Sequence, residues 1–130
     1  MKNKPMLNAY PDSVGSRLSD MVSLLKRDEM KDVFGSFYIL PSLYHSDLDR
    51  GFSVIDYDIN EELADRQDLE EIKKLGMDVK LDFILNHASA QSPQFKDLVD
   101  RGEESEYKDF FINWNEFWKG YGSMTEEGYI

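Results

Sequence analysis

The sequence predicts an α/β protein built from parallel strand–helix–strand units. Two observations carry that expectation. Short apolar or alternating segments take turns with amphipathic helical segments in the order β-α-β-α-β, and the intervening helices have the length that parallel crossovers need. In addition, no internal repeat, low-complexity tract or Pro/Gly/Ser linker marks a second domain.

Each element has its own signal. Met6 to Tyr10 is a brief apolar run closed by Pro11 and reads as a first strand. Leu18, Met21, Val22 and Leu25 stand at i, i+3, i+4 and i+7, so one face of a helix is apolar. Ser16 or Ser19 is expected to cap it, and Lys26 and Arg27 suit its negative end. Val33 to Leu40, rich in aromatic and β-branched residues and closed by Pro41, reads as a buried strand. Ser42 to Asp49 is too polar and irregular for either period and reads as a loop. Leu69, Ile72 and Leu75 predict a second helix, with Asp65 and Asp68 at its start and Gly76 as its stop. Val79, Leu81, Phe83 and Leu85 alternate with Lys80, Asp82, Ile84 and Asn86, the pattern of a third strand. Phe95, Leu98 and Val99 predict a third helix ending near Gly102. Beyond Glu106 come Phe110, Trp114, Phe117, Trp118 and Tyr121 at helical spacing. They are either an aromatic face packed on the rest of the protein or an aromatic wall near a sugar site. Gly120, Gly122 and Gly128 then break regularity and no closing element follows, so the chain reads as cut from a longer protein.

Composition excludes several functions. The chain has 130 residues, 15 Lys and Arg against 26 Asp and Glu, and a formal charge of −11. It is too short for a large barrel, which takes about 250 residues. The acidic balance argues against nucleic acid, because counterion-release binding needs clustered Lys and Arg. The densest charge runs, Glu61 to Glu70 and Glu103 to Glu106, are acidic. No stretch approaches the ~20 apolar residues of a membrane span, and the N-terminal segment is too polar for a signal peptide. With no cysteine there is no disulfide framework or thiolate metal site, and a cytoplasmic protein is expected. No phosphate-cradling glycine motif, nucleophile elbow or zinc spacing is present, so neither cofactor nor metal is expected.

In parallel α/β folds, loops after the C-terminal ends of strands build the site. That rule selects two segments. In the first, Asp82 and Asn86 share one face of the third strand and His87 sits at its end. This is either a binding site or a satisfied polar network with His87 capping the strand. In the second, Asp49-Arg50-Gly51-Phe52, Gly51 permits a tight turn, Phe52 offers a flat apolar face and Asp49 and Asp56 offer acceptors. That set suits a sugar ring; equally, Asp49-Arg50 reads as a solvated pair and Phe52 as a core residue. His45 reads as a surface histidine.

These same residues carry a family resemblance. Asp82-Phe83-Ile84-Leu85-Asn86-His87 is similar to the D-x-x-x-N-H signature on the third barrel strand of the alpha-amylase superfamily of glycoside hydrolases. Lys2-Asn3-Lys4, Tyr10-Pro11-Asp12-Ser13, Asp49-Arg50-Gly51-Phe52 with Ile55-Asp56-Tyr57, and Gln94-Phe95 with Gly102 to Tyr107 narrow it. Together they resemble the N-terminal part of sucrose phosphorylases and related disaccharide phosphorylases. The resemblance implies the first three or so βα units of a (β/α)8 TIM barrel over residues 1–87, and the start of an inserted B domain over 88–130. It implies retaining glucosyl transfer from sucrose or a related glucoside to inorganic phosphate. Asp49 would bind a glucosyl hydroxyl, Phe52 would stack on the glucosyl ring, and His87 would donate to the 6-hydroxyl. Asp82 and Asn86 would support them. Val54 departs from the proline common in relatives.

The resemblance also implies that the nucleophile and the acid/base belong to later strands than this chain reaches, so the chain by itself is expected to be inactive. Three strands of eight leave open edges, and marginal stability of the isolated chain is a further expectation. Two alternatives remain: another glycosidase or disaccharide phosphorylase of the superfamily, or a small carbohydrate-binding or interaction module.

Overall fold

The computed structural model describes residues 3–122, 125 and 126. Lys2 and Gly128, which entered the sequence reading, lie outside the described residues. The chain forms two compact units, the first ending at Ser92 and the second beginning at Pro93.

The first unit contains, in chain order, β1 (Met6–Ala9), α1 (Leu18–Leu25), β2 (Ser36–Ile39), β3 (Tyr44–Ser46), β4 (Val54–Ile59), α2 (Arg66–Lys74) and β5 (Asp78–Lys80). Strands β1, β2 and β5 form a parallel sheet in that order, with Met6 opposite Ser36 and Phe37 opposite Val79. Sequential strands lying side by side, each pair joined through a helix, is the α/β arrangement that the hydrophobic periods call for.

Helix α1 spans the expected apolar face, and Leu18, Met21, Val22 and Leu25 are all buried. They share one core with Phe37 and Ile39 of β2, Leu43, Ala64, Ile72 of α2 and Met77. Each of these side chains except Ala64 contributes about 1.5–3 kcal/mol on leaving water, which fixes the helix against the sheet. The start of α1 differs from the expectation: neither Ser16 nor Ser19 caps it. Arg17 is the extended residue before the helix, and the Asp20 carboxylate accepts from the Ser16 and Arg17 amides at 2.8 and 3.2 Å. A charged acceptor inside the first turn takes the place of a hydroxyl cap.

Helix α2 begins as the sequence suggests. The Asp65 side chain accepts from the Gln67 and Asp68 amides, and Asp68 reaches back to the Asp65 amide at 3.0 Å, a reciprocal capping box. It stops at Gly76, whose φ of 77° lies in the left-handed region that glycine adopts without penalty. Lys26 and Lys74 each donate to Glu71 at 2.7 Å, linking the two helices and holding the Glu71 carboxyl down to about 2.

Three strand assignments differ from the sequence reading, the first being β4 over Val54–Ile59, a strand that reading did not assign. Segment Ser42–Asp49 is not all loop: β3 pairs antiparallel with β4, Tyr44 opposite Ile59 and Ser46 opposite Val54. Three residues are too few to show alternation, and only the partner strand reveals the extended segment. The third parallel strand is shorter than Val79–Asn86, because β5 covers only Asp78–Lys80. Its neighbour β2 ends at Ile39, and Pro41 has no amide proton to extend the ladder. One further bond, from the Asp82 amide to the Pro41 carbonyl at 2.8 Å, continues the pairing before the segment leaves the sheet.

The first unit runs on past His87 to Ser92, and Ser89 within it is bonded back to the β3–β4 hairpin.

The second unit contains α3 (Pro93–Arg101) and α4 (Trp114–Phe117). Helix α3 matches its expected span and ends at Gly102. Ser105 donates to Asp97 at 2.6 Å, and Phe95 and Phe110 each pack edge-on against Phe111. The aromatic run from Phe110 to Tyr121 does not form one helical face. Asn113 starts a new helix by accepting from the Glu116 amide, and Gly120 and Gly122 follow with positive φ. Trp118 packs against Trp114 and Phe117, while Phe110, Phe117 and Tyr121 are exposed. Among the described residues no helix is long and apolar enough to cross a membrane.

Candidate functional site

The C-terminal ends of β1, β2 and β5 lead into three segments: Tyr10–Ser13, the β3–β4 hairpin, and residues 81–92. The hairpin loop runs from Asp47 to Ser53 and closes on itself. Asp47 donates its amide to the Ser53 carbonyl, and the Ser53 amide donates to Leu48. Inside it Asp49, Arg50 and Gly51 all have positive φ, at 54°, 52° and 108°. Two non-glycine residues in that region cost about 1–2 kcal/mol each. Gly51 is required for a second reason: a Cβ there would lie 2.8 Å from Pro41 Cγ and 2.9 Å from its Cδ. The tight backbone turns the Asp49 side chain outward, exposed and without a hydrogen-bond partner among the described residues. Phe52 is 39% exposed and its ring touches no other ring among the described residues. It is therefore not a core residue, and Arg50 pairs with Asp12 at 2.9 Å, not with Asp49.

The segment after β5 is pinned to the hairpin at two places. Tyr57 donates its hydroxyl to the Ile84 carbonyl at 2.5 Å, and the rings of Tyr44, Tyr57 and Phe83 cluster around that bond. Farther on, the Ser89 amide donates to the Val54 carbonyl and its hydroxyl to Asp47, both at 2.7 Å. Asn86 and His87 lie between these anchors, exposed, with His87 Nδ1 3.0 Å from Asn86 Oδ1. Val54 is two residues after Phe52 and Ser89 two residues after His87, so the bond between them brings the two candidate segments together. No contact joins Phe52 to His87 directly. Asp82 sits lower and half-buried, accepting from the Tyr38 hydroxyl at 2.5 Å, with Lys80 over the Tyr38 ring. The Asp82 carboxylate pushes the Tyr38 phenol up.

Sequence reasoning missed the residues that hold these segments in place. His45 is not simply a surface histidine: half-buried, it lies 2.7 Å from Asp56 and 3.2 Å from Glu61. The hydrogen bond with Asp56 is the main reason its imidazole is pushed up from 6.5. Asp56 Oδ1 is thereby engaged, and it also accepts from the Asp58 amide at 3.0 Å. Asp47, Ser89 and the Tyr57 hydroxyl also went unmarked. Tyr57 offered a signal, a large aromatic beside Asp56 on an alternating segment; Ser89 offered none. No cluster of His, Asp and Glu suited to a metal ion occurs among the described residues. The exposed groups carried by these two segments are a carboxylate, an aromatic face and an imidazole.

Residues 27–124 match the alpha amylase catalytic domain family. The chain belongs to that family. It is 52% identical over its whole length to a sucrose 6(F)-phosphate phosphorylase from Ilumatobacter coccineus, of which it covers 25%. It is 39% identical over 89% of its length to a sucrose phosphorylase from Streptococcus mutans, covering 24% of that protein. Its fold superimposes with a TM-score of 0.85 on the crystal structure of sucrose 6F-phosphate phosphorylase from Thermoanaerobacter thermosaccharolyticum, at 36% identity over 95% of this chain and 25% of that one. The chain thus spans about a quarter of the length of the curated relatives it matches, and that quarter is N-terminal. The parallel sheet β1-β2-β5 is the alpha-amylase-family barrel architecture in part, three neighbouring strands of the (β/α)8 cylinder.

Proposed function

We propose that this chain builds the floor of the donor pocket in a retaining glucosyltransferase that moves glucose from sucrose, or its 6(F)-phosphate, to inorganic phosphate. Asp49 accepts from a glucosyl hydroxyl, Phe52 stacks under the ring and His87 donates to the 6-hydroxyl. Asp82 and Asn86 set the path of the segment that carries His87. The observation that carries the reading is the Ser89–Val54 bond at 2.7 Å, which holds the Phe52 and His87 segments side by side. The 52% identity to a sucrose 6(F)-phosphate phosphorylase supports the choice of donor and acceptor.

Retaining transfer needs two carboxyl groups about 5–5.5 Å apart. In this proposal both lie outside residues 1–130. One attacks C1 as the glycosidic C1–O bond breaks, and the other protonates the departing fructosyl oxygen. A phosphate oxygen then takes C1 and frees the carboxylate, giving glucose 1-phosphate. The chain's own residues bind and orient the glucosyl ring; no cofactor takes part. A cytoplasmic setting goes with the absence of cysteine.

The test is phosphate-dependent release of glucose 1-phosphate from sucrose and from sucrose 6(F)-phosphate by the polypeptide as its gene encodes it. Asp49→Ala is expected to lower kcat/KM by roughly 10- to 100-fold, the worth of a charged hydrogen bond. Release of free glucose with no dependence on phosphate would assign a hydrolase instead.

A further inference from the structure

The hairpin loop that carries Asp49 and Phe52 is fastened by a contact from outside it. Arg50 donates to Asp12 at 2.9 Å, and its guanidinium carbon lies 4.1 Å from the centre of the Tyr10 ring. Tyr10 and Asp12 belong to the segment after β1, and that segment is stiff. Pro11 is buried, the Ser13 amide donates to the Tyr10 carbonyl at 3.1 Å, and the Ser13 hydroxyl accepts from the Tyr10 amide at 3.0 Å. Tyr10, Asp12 and Arg50 line a cavity of about 230 Å3, with Arg50 reaching across it from the hairpin side. Asp49 and Arg50 share the left-handed stretch of backbone, so rotation at Arg50 would carry Asp49 with it.

We propose that Arg50 is a positioning residue: its latch onto Asp12 and Tyr10 holds the left-handed loop so that Asp49 and Phe52 meet the glucosyl ring. The inference rests on the donor-pocket reading above and adds the residue that sets its geometry. Guanidinium suits the task because it stacks flat on an aromatic ring while donating sideways to a carboxylate. A lysine keeps the charge and loses the flat stack.

The experiment compares Arg50→Ala, Arg50→Lys and Asp12→Asn in the polypeptide as its gene encodes it. Arg50 and Asp12 are both solvent-accessible, so these changes leave the core intact. Amide hydrogen exchange is read without sugar at Gly51, Phe52 and Ser53, and at Val22 and Phe37 as core references. Sucrose KM and kcat are read in parallel, with Phe52→Ala as the control for the pocket. For Arg50→Ala, exchange in the loop is expected to accelerate by about 5- to 30-fold and KM to rise by a similar factor, with the core amides unchanged. Arg50→Lys and Asp12→Asn should each show part of both effects. Loop exchange unchanged in Arg50→Ala would overturn the latch. Faster exchange with unchanged KM, where Phe52→Ala does raise KM, would overturn the positioning role. If Phe52→Ala leaves KM unchanged, the donor-pocket reading fails and the positioning role falls with it, and the sugar-free exchange data tell that failure apart from failure of the latch.

Discussion

Helices α1 and α3 carry the same kind of amphipathic pattern but meet different fates. All four apolar residues of the α1 stripe are buried, whereas α3 has no buried residue. Period decides that a segment coils; burial needs a facing surface of matching size. The first unit supplies one, because β2 presents Phe37 and Ile39 to the α1 stripe. The second unit gathers aromatic rings edge to edge and leaves Phe110, Phe117 and Tyr121 exposed.

The largest test of this contrast sets Phe37→Ala against Phe117→Ala. Truncating the fully buried Phe37 is expected to cost about 3–5 kcal/mol through lost burial and a cavity, while Phe117→Ala stays within about 0.5 kcal/mol. Urea midpoints of the two variants, followed by exchange at the β2 amides, decide it. Equal losses would mean that the second unit is as tightly packed as the first.

A smaller effect is expected at the start of α2. Asp65→Ala removes the acceptor for two amides and should cost about 1 kcal/mol, read as a shift in thermal midpoint. Asp65→Asn should recover most of it, since the amide oxygen still accepts.

The smallest expected effects are pH-dependent, and their signs oppose. His45 is pushed up from 6.5 by Asp56 and Glu61, so its contribution is complete below 6.5 and fades as pH rises through the folded value. Glu71 is held down to about 2, so its contribution is complete above 4.5 and is lost as pH falls through about 2. NMR titration of the His45 ring should give a midpoint above 6.5, and His45→Gln should remove the alkaline loosening of the hairpin. A midpoint at or below 6.5 would contradict the carboxylate clasp.

What the sequence disclosed follows from range. Helix α1, helix α2 with Asp65 and Gly76, and the parallel order of β1, β2 and β5 rest on local period and chain order, and local pattern carries them. Strand β3 and the early end of β5 depend on partners: β4 for one, and the proline that closes β2 for the other. A single strand cannot announce its neighbour. The segments bearing Asp49, Phe52 and His87 stood out through their resemblance to a known family, since the residues alone left a binding site and a structural role both open. The contacts by which Arg50, Ser89 and Tyr57 fix those segments left no such mark. Their partners are remote in sequence, as with Arg50 and Asp12 or Ser89 and Val54.

Ser89 touches the hairpin through both its backbone and its hydroxyl. The practical outcome concerns protein engineering. A graft that exchanges residues 44–59 alone would pull on the chain beyond residue 86, so the two pieces must be transplanted as a single cassette, with Ser89 as the stitch between them.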